Sequence, residues 1–340
     1  MSLPWLEAAF VDIASRKKSL PTVIMISGAE GIGKLSLANQ TSKGLLCLND
    51  QHGQSCEDCR ACHLFDSGNH PDYHLVTNEY ILQTVSQNIA LAGKRYLSET
   101  EKSKAKRKTL KHIIGIEQIR CLIGELSITA HVGITKVAVI CPANVLNVNA
   151  ANALLKTLEE PPSNTYFLLI TEAPHLLPPT IRSRCVQYNV PIPNPEQSLF
   201  WLRKTLSLND IEAKKLLKFA NNAPLTAVIN FEDGSYKLAA SLPSDLKSIL
   251  KKQITMSTIC EKWSQINVRI PLRWLQREIL SAFRSGVGID TTNSGRLLYR
   301  SIGLKRCLDI YIKVGNFLSW PINAVDEKLF LESVIADLIK

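Results

Sequence analysis

The sequence predicts an α/β domain, a parallel sheet flanked by helices, followed by an all-helical remainder. Three observations predict it. Apolar β-rich runs alternate with helical stretches up to about residue 188, and a glycine loop follows directly on the first run. Beyond "VPIPNPEQ" strand signals give way to helical spacing. Strands alternating with helices belong in a parallel sheet covered on both faces. At 340 residues the chain exceeds one ordinary core and suits two or three domains.

The start, "MSLPWLEAAFVDIASRKKSLP", places Leu6, Ala9, Phe10, Ile13 and Ala14 on one helix face, with its charges after the apolar part. That order does not fit a signal peptide, and no run is long enough to span a membrane, so the expected compartment is the cytoplasm. "TVIMIS" (22–27) is the first strand and "LSLANQTSKGLLCL" its following helix. "HPDYHLV" is a turn entering a second strand. The run 99–111, "ETEKSKAKRKTLK", carries six basic residues between Lys102 and Lys111 and reads as a solvated loop or helix face. "GIEQIRCLIGELSI" has helical spacing, "KVAVIC" (136–141) is a buried strand, and "NAANALLKTLEEPP" is a helix stopped by Pro161 and Pro162. "TYFLLIT" (165–171) is another strand. In the helical remainder, Leu272, Leu275, Ile279 and Phe283 recur along one face and read as plain core.

Net charge is +10, which suits a polyanionic partner such as nucleic acid without requiring one. The nine cysteines are an odd number without an export signal, which argues against a disulfide framework. Four of them, Cys47, Cys56, Cys59 and Cys62, form C-x8-C-x2-C-x2-C. Short C-x2-C turns supply paired thiolates to tetrahedral zinc, so structural Zn²⁺ is the expectation, with His52 and His63 as spare ligands. Four protein ligands leave no open position for catalysis. An iron–sulfur cluster and a redox dithiol are the rivals; the former usually places its fourth cysteine downstream.

"SGAEGIGKLSLANQ" (27–40) nearly meets the phosphate-loop template G-x-x-x-x-G-K-[ST]. Gly28, Gly31, Gly33 and Lys34 are present, but Leu35 stands where a hydroxyl would reach Mg²⁺. The end of the "KVAVIC" strand offers Cys141, Pro142, Ala143 and Asn144, with no carboxylate to hold metal or polarise water. Two independent losses point away from hydrolysis at this loop, although Lys34 leaves weak nucleotide occupancy open. "PTIRSRCVQY" presents an arginine at a domain surface, which by itself reads as an ordinary surface ion-pair residue.

Taken together, "GAEGIGK" (28–34), the four cysteines, "HPDY" (70–73), "NALLKTLEEPP" (152–162) and "RSRC" (182–185) resemble the delta-prime subunits of the bacterial DNA polymerase III clamp loader, within the AAA+ superfamily. The resemblance spans roughly residues 20 to 190. It implies an AAA+ α/β domain over 1–188 with the zinc module at 47–62, a helical lid over 189–235 and a helical collar for oligomerisation over 236–340. It implies a ring with gamma or tau and delta subunits that loads the beta sliding clamp on primed DNA during replication. It makes Arg184, framed by Ser183 and Cys185, an arginine finger for a neighbour's ATP. No intrinsic activity is then expected, and polymerase activity belongs to the holoenzyme by association only. The lid's nucleotide-sensing arginine is missing from the corresponding "NNAPLTAV", and the basic 99–111 run is an insertion relative to the family. The competing expectation is an autonomous AAA+ ATPase of the gamma type; a zinc-dependent nucleic-acid-binding module is a third.

Overall fold

The computed structural model describes residues 3–49, 53–97, 111–265, 267–286, 292–320 and 325–339. Five strands, β1 (Val23–Ser27), β2 (Tyr73–Thr77), β3 (Lys136–Cys141), β4 (Thr165–Thr171) and β5 (Val186–Asn189), form one sheet. Their order is β2-β3-β4-β1-β5, and every neighbouring pair is parallel. The parallel α/β sheet flanked by helices expected from the sequence is the one observed.

Alternation of side chains along each strand divides the core between two faces. Ile24, Ile26, Val137, Val139, Leu168 and Ile170 pack with Phe10 and Ile13 of α1 (Glu7–Ser15) and Leu37, Ala38 and Leu45 of α2 (Lys34–Leu46). Met25, Ala138, Ile140, Phe167 and Leu169 form the other core. There they meet Ile119, Leu122 and Leu126 of α6 (Ile116–Ser127) and Ala151, Leu154 and Leu158 of α7 (Val148–Glu159). Between α2 and α6 lie α3 (Arg60–Asp66), α4 (Glu79–Thr84) and α5 (Gln87–Lys94). Asn147 begins α7 by accepting the Ala150 N–H at 2.8 Å, and Asn78 caps α4 through the Ile81 N–H at 2.9 Å.

Strand β5 was not foreseen. Three of its four residues are exposed, it pairs on one side only, and "VQYN" offers no buried apolar run to read. After it, the segment read as an extended connector already turns helical at its end: Asn194 caps α9 (Pro195–Leu206), whose Pro195 occupies the first turn. Helix α8 (Pro179–Arg182) is the single turn before β5. The basic 99–111 run and His52 lie outside the described residues, except for Lys111.

The chain divides into two compact units, Met1–Ala227 and Val228–Lys340. The first continues through α10 (Asp210–Phe219) to the start of α11 (Pro224–Glu232). The second contains α12 (Ser235–Ala239), α13 (Leu242–Leu250), α14 (Met256–Ser264), α15 (Arg269–Gly286), α16 (Asn293–Ser319, broken at Gly303) and α17 (Glu327–Ile339). Leu272, Leu275 and Ile279 of the expected stripe are buried there, while Phe283 is half-buried edge-on to Tyr311. Two buried charges of this unit, Asp245 and Arg269, are satisfied. Asp245 accepts from Lys262, Trp263 and Ser241, and Arg269 donates to Glu327 and to the carbonyls of Leu318 and Trp320.

Candidate functional site

The glycine loop leaves the C-terminal end of β1 and enters α2 through left-handed Gly31 (φ 72°) and Gly33 (φ 95°). Both positions also lie under neighbouring chain. A Cβ on Gly31 would fall 2.0 Å from the Thr226 hydroxyl, and one on Gly33 2.6 Å from Leu3. The Leu225 N–H donates to the Gly31 carbonyl at 3.0 Å, so the stretch "NNAPLTAV" rests on the loop without supplying an arginine. On the other side the Trp5 indole N–H donates to the Ile32 carbonyl at 2.8 Å. Gly28 is equally enclosed, with a Cβ there meeting the Val190 carbonyl at 2.7 Å.

Lys34 completes the closure. It is only 6% exposed, and its ammonium donates to the Ala29 carbonyl within the same loop at 2.5 Å. Burial pulls its pKa down, opposed by the carboxylates of Glu172 and Glu30 and by Cys141. The Lys34 ammonium is thus held by the backbone of its own loop. Leu35 packs half-buried against the core of α1 and α2, so the residue lacking a hydroxyl has acquired an apolar role.

At the end of β3, Cys141 is buried, and burial together with Glu172 pushes its thiol up to about 12. A neutral thiol is no substitute for a Mg²⁺-holding carboxylate. Beyond it, Asn144 accepts from the Thr171 hydroxyl of β4 at 3.0 Å. Glu172, one residue past β4, is the acidic neighbour of Lys34 that sequence reading missed; its strand gave no motif to mark it.

Arg184 lies between α8 and β5, with its guanidinium turned back onto the domain. One terminal nitrogen donates to the Thr180 carbonyl at 2.6 Å, with the Ser183 hydroxyl at 3.5 Å, and the other pairs with the Glu159 carboxylate. Cys185 donates to the Ile181 carbonyl at 3.1 Å, and burial pushes its thiol up to about 11.

The four cysteines converge as expected. Cys47 ends α2, Cys56 follows in the loop, Cys59 caps α3 and Cys62 lies in its first turn. Their sulfurs all lie within 4.8 Å of one another, with Cys47 and Cys59 at 3.8 Å. Four sulfurs about 2.3 Å from a tetrahedral ion stand about 3.8 Å apart, so the cradle fits a zinc-sized cation. Exposed His63 lies outside this set. Burial opposes ionisation of Cys59, but the N–H groups of Cys62 and Leu48 and the neighbouring thiols outweigh it and bring Cys59 down to about 6. Burial and the other thiols push Cys62 up to about 12.

The "HPDY" segment anchors this cradle. Buried Asp72 accepts the His131 and Val132 N–H groups, each at 2.7 Å, and Val132 packs against the cysteines. Arg95 donates to the carbonyls of Gly68, His70 and Tyr73, and the Tyr73 hydroxyl donates to Asn39 of α2 at 2.5 Å. The motif is a clamp between the cysteine module and the sheet. Its residues carry no exposed chemistry.

A family model described as "DNA polymerase III, delta subunit" matches residues 7–194. The DNA polymerase III subunit delta' of Pseudomonas aeruginosa is 35% identical over 272 residues, covering 80% of this chain and 74% of that protein. The subunit delta' of Yersinia pestis is 29% identical over 303 residues, covering 86% and 80%. That of Escherichia coli K12 is 29% identical over 251 residues, covering 71% and 66%.

Proposed function

This chain belongs to the DNA polymerase III delta-prime subunit family, and from that premise we propose that it is the non-hydrolysing member of a clamp-loading ring. In this reading it joins gamma or tau and delta subunits, and the assembly opens the beta sliding clamp and sets it on primed DNA. Residues 189–235 serve as lid and 236–340 as the collar that joins the ring. Arg184 is the finger offered to the neighbour's ATP, where a guanidinium stabilises charge gathering on the γ-phosphate. Cys47, Cys56, Cys59 and Cys62 hold a structural zinc, which would add folding free energy to a module with little apolar core.

One observation carries the reading. The glycine loop is closed by its own chain, with Lys34 bonded to the Ala29 carbonyl and Thr226 set over Gly31, while the end of β3 lacks an acid. A loop so arranged is a structural joint, and a subunit built on it contributes to hydrolysis only through a neighbour. The test is a reconstituted ring in which only the hydrolysing site beside this chain keeps its catalytic acid. The isolated chain should release no phosphate from Mg-ATP. Arg184→Ala should lower kcat at the remaining site at least about tenfold, below the range for fingers supplied in trans because the ring's other contacts persist. Phosphate release by the chain alone favours the autonomous gamma-type reading, and unchanged kcat with Arg184→Ala removes the finger assignment.

A further inference from the structure

Arg184 has both terminal nitrogens of its guanidinium already engaged within the domain. One terminal nitrogen is bound to the Thr180 carbonyl, the other to Glu159, and Nε is buried without a hydrogen-bond partner among the described residues. Guanidinium recognises phosphate best through two parallel N–H donors, and each such pair here includes a nitrogen that is engaged or buried. The partner is also oddly placed. Glu159 is the last residue of α7, at the negative end of the helix dipole, where a carboxylate is disfavoured. Glu160 adds a second negative charge beside it. The Arg184 guanidinium offsets that cost, and the end of α7 is thereby tied to the segment between α8 and β5 by an ion pair spanning 25 residues of sequence.

We propose that Glu159 is a positioning residue that latches Arg184 inward, so that the neighbour's nucleotide must displace a carboxylate before the finger engages. This deepens the finger reading above and rests on it. Carboxylate and phosphate compete for the same Nη2 donors, so the latch acts as a built-in competitor whose strength subtracts from apparent ATP affinity next door. The pair is partly exposed, the arginine side chain at 29% and the glutamate at 48%, so the latch is weak enough to open.

The single-site ring described above tests it. Glu159→Gln keeps the shape of the side chain and removes its charge. It should lower KM for ATP at the site beside this chain by about two- to five-fold, the range for a partly exposed ion pair, and change kcat less than KM. In an Arg184→Ala ring, adding Glu159→Gln should leave KM where it was, because a latch without its finger has nothing to hold. Thermal melting of Glu159→Gln separates this from damaged folding. If Arg184→Ala lowers kcat but Glu159→Gln leaves KM unchanged or raises it, the latch is wrong and the finger stands. If Arg184→Ala leaves kcat unchanged, the finger itself is wrong.

Discussion

His74 illustrates how a single side chain sets the molecule's response to acid. It lies buried on β2, its Nδ1 paired with the Tyr96 hydroxyl at 2.5 Å. Burial, helped by Arg95, pulls its pKa down to about 4, and burial lowers His70 as well. The folded chain thus refuses a proton that the unfolded chain accepts near pH 6.5. Stability is therefore full above that pH and falls as pH drops toward 4, by on the order of 3 kcal/mol for His74 alone. Urea titrations at intervals across pH 4 to 7 should show that loss, and His74→Gln should flatten it. A slope unaffected by the substitution would place the acid sensitivity elsewhere.

At the scale of elements, the cysteine module depends on two ties of different kinds. Metal would join α2 to α3 through four sulfurs, while Asp72 joins the loop before β3 to the turn before β2. Cys59→Ser removes the first and leaves the second. It should abolish stoichiometric zinc and speed proteolysis within 47–75 at least about tenfold, with sheet amides keeping their protection from exchange. Acidification should release metal from the unaltered protein in the same way, since protons compete for the thiolates. Peptide mapping with zinc quantification checks both, and undiminished protection of 47–75 without metal would rule out the structural role. Much of this organisation was legible in the sequence. Strands β1, β3 and β4 are buried runs that read plainly, and the cysteines announce themselves by spacing. Strand β5 did not, because an exposed edge strand has no apolar signature. The closure of the glycine loop was hidden for a different reason. It depends on Trp5, Leu225 and Thr226, whose distance along the chain bears no relation to their place around Gly31. The Glu159–Arg184 pair was equally invisible, although both motifs containing it were read.

For the molecule as a whole, closure of the loop predicts indifference to nucleotide. A ligand present at a hundred times its Kd adds about 2.7 kcal/mol to stability, which moves Tm by several degrees in a unit of this size. Millimolar Mg-ATP should shift the melting of the isolated chain by less than about 1 °C. A dose-dependent rise would mean that Lys34 leaves the Ala29 carbonyl to meet a phosphate. No helix among the described residues is long and apolar enough to cross a membrane.

Trp5 gives this prediction an optical counterpart. Its indole is bonded to the Ile32 carbonyl and stands edge-on to Trp201, with ring centroids 5.2 Å apart. A rearrangement that moved Ile32 away from Trp5 would break that bond and expose the ring to water, reddening its emission. The difference in emission between the unaltered protein and Trp5→Phe, which keeps the other four tryptophans, thus reads the state of the glycine loop in solution without a dye.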